Sequence, residues 1–245
     1  MNPAREGRIR IPANLDAVTD IGPEAGGALS PAAVDRTWDA VRHWYLAGMQ
    51  PSVQLCLRLG GTVVLNRALG HAWGNGPQDS GDAERVPVTV GTPFCVYSAA
   101  KAITTTVVHM LVERGEISLE ARVCDYLPTY TGHGKERTTV RHVMTHSAGV
   151  PFATGPRPDL KRMNDSAYAR AKLNELKPIH RPGFMHIYHG LTWGPLIREI
   201  VSAATGRNIR EILATEILDP LGFRWTNDGV ADADVPLVAP SHVTG

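Results

Sequence analysis

Gly60-Gly61 lies between two runs whose residues alternate or favour strands, and that juncture limits the early part of the chain to an antiparallel hairpin. Upstream, Val53, Leu55, Leu57 and Leu59 alternate with polar or small residues, which is strand periodicity; downstream, Thr62 to Leu69 supplies the return strand. A helix precedes the hairpin. Ser30-Pro31 offers an N-cap followed by proline at the first helical position, Val34, Trp38, Val41 and Tyr45 recur at helical spacing, and Gly48 closes the segment. Residues 1–29 show no sustained periodicity and read as an N-terminal arm, and Asn75 to Gly91, rich in Gly, Asp and Pro, reads as an exposed loop.

From residue 98 onward the pattern changes to helix and loop. Ile103, Val107, Met110 and Leu111 mark a helix that ends at Gly115. Shorter helices are expected over Thr139 to His146, over Asp165 to Leu176 with Asp165 as N-cap, over Leu191 to Ala204, and over Asn208 to Leu218, the last stopped by Asp219-Pro220. The resulting organisation is an α/β one: an arm at 1–29, part of a sheet domain at 30–97, a mostly helical domain at 98–222, and a return towards the sheet over 223–245.

Composition narrows the function classes. A net charge of +1 gives no electrostatic case for nucleic acid, and no run approaches the roughly 20 apolar residues of a membrane-spanning helix. The polar start, Met1 to Arg10, lacks the apolar stretch of a secretory signal, so a cytoplasmic location is expected. Cys56, Cys95 and Cys124 are dispersed, with no Cys-x-x-Cys spacing, and Cys56 and Cys95 in apolar runs read as buried fillers. His142 and His146 stand four apart, but no glutamate accompanies them in a zinc-protease pattern, so no metal or cofactor is expected. Neither a Gly-x-Ser-x-Gly elbow nor a phosphate-binding glycine loop is present.

The chemistry-bearing feature is Ser98-Ala99-Ala100-Lys101 at the mouth of a helix. Residues three apart share a helix face, so the Lys101 amine can reach the Ser98 hydroxyl. A serine hydroxyl needs a base to become a nucleophile. A lysine with an ordinary pKa of about 10.4 would need to drop by roughly three units, about 4 kcal/mol, to act as that base at neutral pH. The plain alternative for Ser98 is a helix N-cap.

Further motifs follow in order: Leu111-Val112-Glu113-Arg114-Gly115, Ser118-Leu119, Tyr126-Leu127-Pro128, Thr145-His146-Ser147-Ala148-Gly149-Val150-Pro151, Pro182-Gly183, Tyr188-His189-Gly190, and Asp219-Pro220-Leu221-Gly222. With Ser-x-x-Lys, this series resembles the serine β-lactamase and penicillin-binding-protein superfamily, in its class C-like branch that also holds esterases and D-aminopeptidases. The string from Tyr188 to Gly194 is most similar to the esterase or lipase members. The resemblance implies a β-lactamase/transpeptidase-like fold, with the site in the cleft between sheet and helices. It also implies Ser98 as the acyl-accepting nucleophile and Lys101 with Tyr188 as the proton relay.

Two departures qualify it. Gly190 stands where the β-lactamase pattern has asparagine, which weakens penicillinase-type recognition and leaves ester cleavage open. The family's third motif, on a strand that supplies an oxyanion donor, is absent. The family places it beyond Gly245, so the chain is expected to be the N-terminal part of a longer protein, weakly active alone and prone to self-associate through an open sheet edge. His186 and His189 flank the tyrosine, and a packing or surface role is the simpler one, though His189 could tune the tyrosine or touch substrate. His189, Gly190 and Trp193 are the candidate substrate-binding residues, while Phe152 and Phe184 are core residues by default that could line an acyl pocket. The expected function is hydrolysis of small-molecule or lipid carboxylic esters through an acyl-enzyme. The alternatives are β-lactamase or D-aminopeptidase/DD-peptidase-like activity, or an idle binding protein of the same fold.

Overall fold

The computed structural model describes residues 7–27, 29–152, 159, 162 and 165–244. The chain divides into two compact units, one of residues 1–95 with 230–245 and the other of residues 96–229.

The first unit is built on the hairpin. Strands β2 (Ser52–Leu59) and β3 (Thr62–Trp73) pair antiparallel, with Leu59 opposite Thr62. Gly60 and Gly61 both take positive φ, +55° and +80°, the combination a two-residue turn needs to match the twist of its strands. β3 is the central strand. Besides β2 it pairs with β1 (Thr19–Ile21) and, near its end, with β4 (Val86–Pro87), all antiparallel. The stretch expected to be only an arm therefore supplies an edge strand, and the expected loop before residue 91 supplies another. β3 also runs four residues past Leu69. It passes through Gly70 at φ +105°, where a Cβ would lie 2.3 Å from the Pro51 carbonyl and 2.8 Å from the Tyr45 ring.

Helix α1 (Pro31–Tyr45) begins as its sequence predicts, with the Ser30 hydroxyl accepting the Ala33 N–H at 3.3 Å. Its buried Trp38 and Tyr45 pack with Leu65 and Leu69 of β3 and with Ile9. Burial pushes the Tyr45 phenol up to about 12. Cys56 and Cys95 are exposed, not buried. Period two explains Cys56: Val53, Leu55 and Leu57 turn towards α1, so Gln54, Cys56 and Arg58 turn outwards. The last residues belong to this unit, with the Ala239 N–H on the Pro93 carbonyl at 3.0 Å.

The second unit is helical. Its core joins Val107, Val108 and Leu111 of α2 (Ala100–Glu113) to Leu196, Ile197, Ile200 and Val201 of α6 (Trp193–Thr205). Around them lie α3 (Val123–Tyr126), α4 (Val140–Met144), α5 (Ser166–Glu175) and α7 (Ile209–Leu213). Asp165 caps α5 and Asn208 caps α7 through their side-chain oxygens. The chain does not stop at Pro220. A π-helical stretch, Ala214–Leu218, leads into α8 (Asp219–Leu221), because proline is tolerated in a first helical turn, and Gly222 at φ +70° ends it. Among the described residues, no helix is long and apolar enough to cross a membrane.

Two buried charges organise this unit. The Glu199 carboxylate, fully buried, accepts from Arg170 at 2.6 Å, from Ser166 at 3.0 Å and from Arg198 at 3.4 Å. Lys135, also fully buried, donates to the Asn174 and Leu173 carbonyls at 2.5 and 3.3 Å and lies 4.8 Å from the Tyr130 ring centre. These carbonyls end α5, so the ammonium closes that helix. Lys135→Met keeps an unbranched apolar stem but removes the donor from the Asn174 carbonyl, while the Leu173 carbonyl keeps the Leu176 N–H at 3.3 Å. The expected cost is about 1–3 kcal/mol of stability in a denaturant titration. A variant within about 0.3 kcal/mol of wild type would show that water satisfies the α5 terminus as well as Lys135 does.

Candidate active site

Ser98 lies in a tight turn, Tyr97–Ala99, that runs directly into α2. Tyr97 takes φ +47°, a strained value for a non-glycine residue, immediately before the serine. The Ser98 hydroxyl makes no helix cap, because the N-cap position of α2 is Ala99, with no side-chain cap. The hydroxyl faces Lys101 instead, whose Nζ donates to Oγ at 3.2 Å and to the Gly190 carbonyl at 3.2 Å. The same ammonium sits 5.1 Å from the Tyr188 ring centre and 5.6 Å from that of Trp193.

The Tyr188 phenol completes the group. Hydrogen bonding to Ser98 and then to Lys101 holds its pKa below the ordinary tyrosine value, since both favour the phenolate. Residues 90 positions apart thus meet, all within the second unit.

The residues expected at the substrate divide. Gly190 and Trp193 line a cavity of about 570 Å³ beside Lys101, together with Thr104, Leu191, Asn208 and Arg210. Gly190 presents its backbone carbonyl to the Lys101 ammonium. His189 does not line this cavity. It is fully buried, its Nε2 accepts the Val150 N–H at 3.0 Å, and its Nδ1 lies 2.5 Å from the Ile187 carbonyl. Both ring nitrogens are committed to backbone, and burial lowers the pKa.

Phe152 and Phe184 are exposed rather than in the core, and neither lines the cavity beside Lys101. Phe184 lies instead against Arg181, 5.2 Å from its ring centre. His142 and His146, four apart in sequence, serve different backbone donors. The His142 Nδ1 accepts the Thr139 N–H at 3.1 Å as part of the α4 cap, and the His146 Nδ1 accepts the His189 N–H at 3.1 Å. Among the described residues no cluster of three metal-ligating side chains exists.

Comparison with known proteins fits this geometry. Residues 41–244 match the family model described as Beta-lactamase. The chain belongs to the beta-lactamase family. A 32% identical relative, "Esterase/beta-lactamase LipL" of Mycobacterium tuberculosis, aligns over 88% of this chain and 48% of its own length. Among solved structures, a penicillin-binding protein homologue from Caulobacter crescentus superposes with a TM-score of 0.73 at 25% identity, over 87% of this chain and 55% of the other. A family VIII carboxylesterase shares the fold at a TM-score of 0.72 and 24% identity, over 87% and 56% of the two chains. The chain spans about half the length of the curated relatives it matches. Ser98 and Lys101 form the Ser-x-x-Lys motif typical of this beta-lactamase family.

Two features of the site carry no signal in the sequence. The cavity wall from α7, with Asn208 and Arg210, lies 110 residues from Ser98 and carries no motif. The placement of His146 depends on a positive φ of +58° that nothing in a histidine codon position announces.

Proposed function

We propose that this chain carries the acylating centre of a serine hydrolase that cleaves small carboxylic esters. The observation that carries the reading is the meeting of Ser98, Lys101 and Tyr188: a hydroxyl, a cation 3.2 Å away and a phenol biased towards its phenolate. Tyr188, as phenolate, accepts the Ser98 proton while Oγ attacks the ester carbonyl carbon. The C–O bond to the alcohol then breaks, and the proton passes from Tyr188 to the leaving oxygen. Water repeats the sequence on the acyl-enzyme, giving its proton to Tyr188 and releasing the acid and Ser98. Lys101 supplies the charge that keeps the phenolate accessible, and the Gly190 carbonyl keeps Lys101 in place.

The cavity beside Lys101 supports small esters. Leu191, Trp193 and Pro195 share its wall with Thr104, Asn208, Arg210 and Asp228, and a long alkyl chain would strip water from those polar groups without replacing their hydrogen bonds. Absence of a side-chain amide at Gly190 favours esters over β-lactam amides, and the names of the relatives are compatible with both. The test is a substrate panel: p-nitrophenyl acetate and butyrate, a p-nitrophenyl ester of twelve carbons, and a chromogenic cephalosporin. Turnover of the two short esters is expected, with the long ester at least about tenfold poorer in kcat/KM and the cephalosporin negligible. Greater efficiency on the cephalosporin than on acetate would replace this reading with the β-lactamase one. Failure of a fluorophosphonate to label Ser98 would leave a binding protein of this fold.

A further inference from the structure

One residue grips Tyr188 from both sides. The His146 carbonyl accepts the Ile187 N–H at 3.0 Å, and the His146 Nδ1 accepts the His189 N–H at 3.1 Å. The neighbours before and after the tyrosine are thereby tied to the same histidine. Its imidazole also rests against the Tyr188 ring, with centroids 4.8 Å apart and planes inclined at 52°. His146 makes these contacts from the left-handed region of backbone conformation, an arrangement that surrounding structure must hold in place.

From these contacts we infer that neutral His146 is the positioning residue that sets the Tyr188 phenol against Ser98 and Lys101, and that protonating His146 releases the phenol. The inference rests on the reading of Ser98 and Tyr188 given above. A ring nitrogen that accepts an N–H carries no proton, so Nδ1 must be bare and the neutral ring is the Nε2–H tautomer. A proton on Nδ1 would set donor against donor and break the tie to His189.

The groups facing this ring resist that protonation. Lys101 approaches from α2, His186, Tyr188 and His189 from the segment before α6, and Trp193 from the start of α6. Burial, then Lys101, then His186 hold the His146 pKa below the ordinary histidine value. His189 offers no substitute acceptor, since its own Nε2 is occupied by Val150.

The test uses His146→Ala and His146→Asn, with Ser98→Ala measured beside them. Asparagine tolerates positive φ and offers an oxygen acceptor near the place of Nδ1, but it does not titrate. In the wild type, turnover of p-nitrophenyl acetate should fall as Tyr188 protonates and fall more steeply at lower pH, below the ordinary histidine range, where His146 joins it. His146→Ala should lose at least about tenfold in kcat with KM within about twofold, and its Tyr188 limb should move up in pH. His146→Asn should recover activity to within about fivefold of wild type and lack the steeper fall. A pH profile of His146→Ala that superimposes on wild type overturns the inference, and so does a steeper fall that persists in His146→Asn. If turnover survives in Ser98→Ala, the reading of the site itself fails, and the histidine is then judged by NMR on the wild-type protein. There, the ring should be the Nε2–H tautomer at pH 7.5, and the His189 amide should shift as the ring titrates. The Nδ1–H tautomer, or an unmoved His189 amide, overturns the inference whatever the activity.

Discussion

Replacing Ser98 by alanine is expected to lower ester turnover by at least about a hundredfold. The change removes a single oxygen, whose partners are the Lys101 ammonium and the Tyr188 phenol. It does not cap α2, whose start has no side-chain cap, and its assigned donor is the Lys101 ammonium, which keeps the Gly190 carbonyl when Oγ is gone. Stability should therefore move by no more than about 0.5 kcal/mol, the usual range for an exposed position. The contrast between a lost activity and an unchanged melting temperature is the diagnostic result. Near-normal turnover in Ser98→Ala would end the assignment of the nucleophile. A loss of activity that tracks a loss of structure would leave the serine's role open to the capping explanation that the geometry argues against.

The second large effect concerns the proton path. Lys101→Ala removes the cation and Tyr188→Phe removes one hydroxyl, and each should lower kcat by about two orders of magnitude, the scale of general-base assistance. Because Lys101 acts on Tyr188 by favouring its phenolate, the two losses should not add, and the double variant should be little worse than the worse single one. The sign of the pH effect follows from the same cause. With the ammonium gone the phenolate is less favoured, so in Lys101→Ala the limb assigned to Tyr188 should shift upwards, towards the ordinary tyrosine value near 10. Additive losses, or a limb that stays in place, would assign Lys101 and Tyr188 to separate steps.

Much of the local structure was legible in the sequence because it depends on neighbours in the chain. Gly60-Gly61 specifies its turn through two positive φ angles, Ser30 and Asp165 specify helix starts through their own oxygens, and Ser98 and Lys101 meet because a helix turn brings residues three apart together. What escaped depends on partners distant in sequence. Thr19–Ile21 is too short to show alternation and is a strand only because the middle of β3 lies beside it. Val86–Pro87 is the same case at the other end. Cys56 is different, since the alternation of Val53, Leu55 and Leu57 already placed it on the outer face, and its apolar setting suggested otherwise. Asp219-Pro220 carries the pattern of a helix stop, although proline is equally at home in a first turn. At the site, the motif order indicated Tyr188, but not the burial of His189 or the double tie from His146, which arise from how the loop after Thr145 folds back.

The division into two units bears on how any of these variants can be judged. Of the five tryptophans, Trp38, Trp44 and Trp73 belong to the unit with the sheet, and Trp193 and Trp225 to the unit with Ser98. Intrinsic fluorescence therefore sums the light of two separate cores, and one melting midpoint is a defined quantity only where both cores are lost together. Trp38 is packed beneath the Arg67 guanidinium, 5.7 Å away, and reports on the sheet. Trp193 stands 5.6 Å from the Lys101 ammonium and 6.2 Å from the His146 ring, so it is the natural optical witness of the turn that carries Ser98. A version of the chain emitting only from Trp193 would let folding of that turn be followed in the same cuvette as its chemistry.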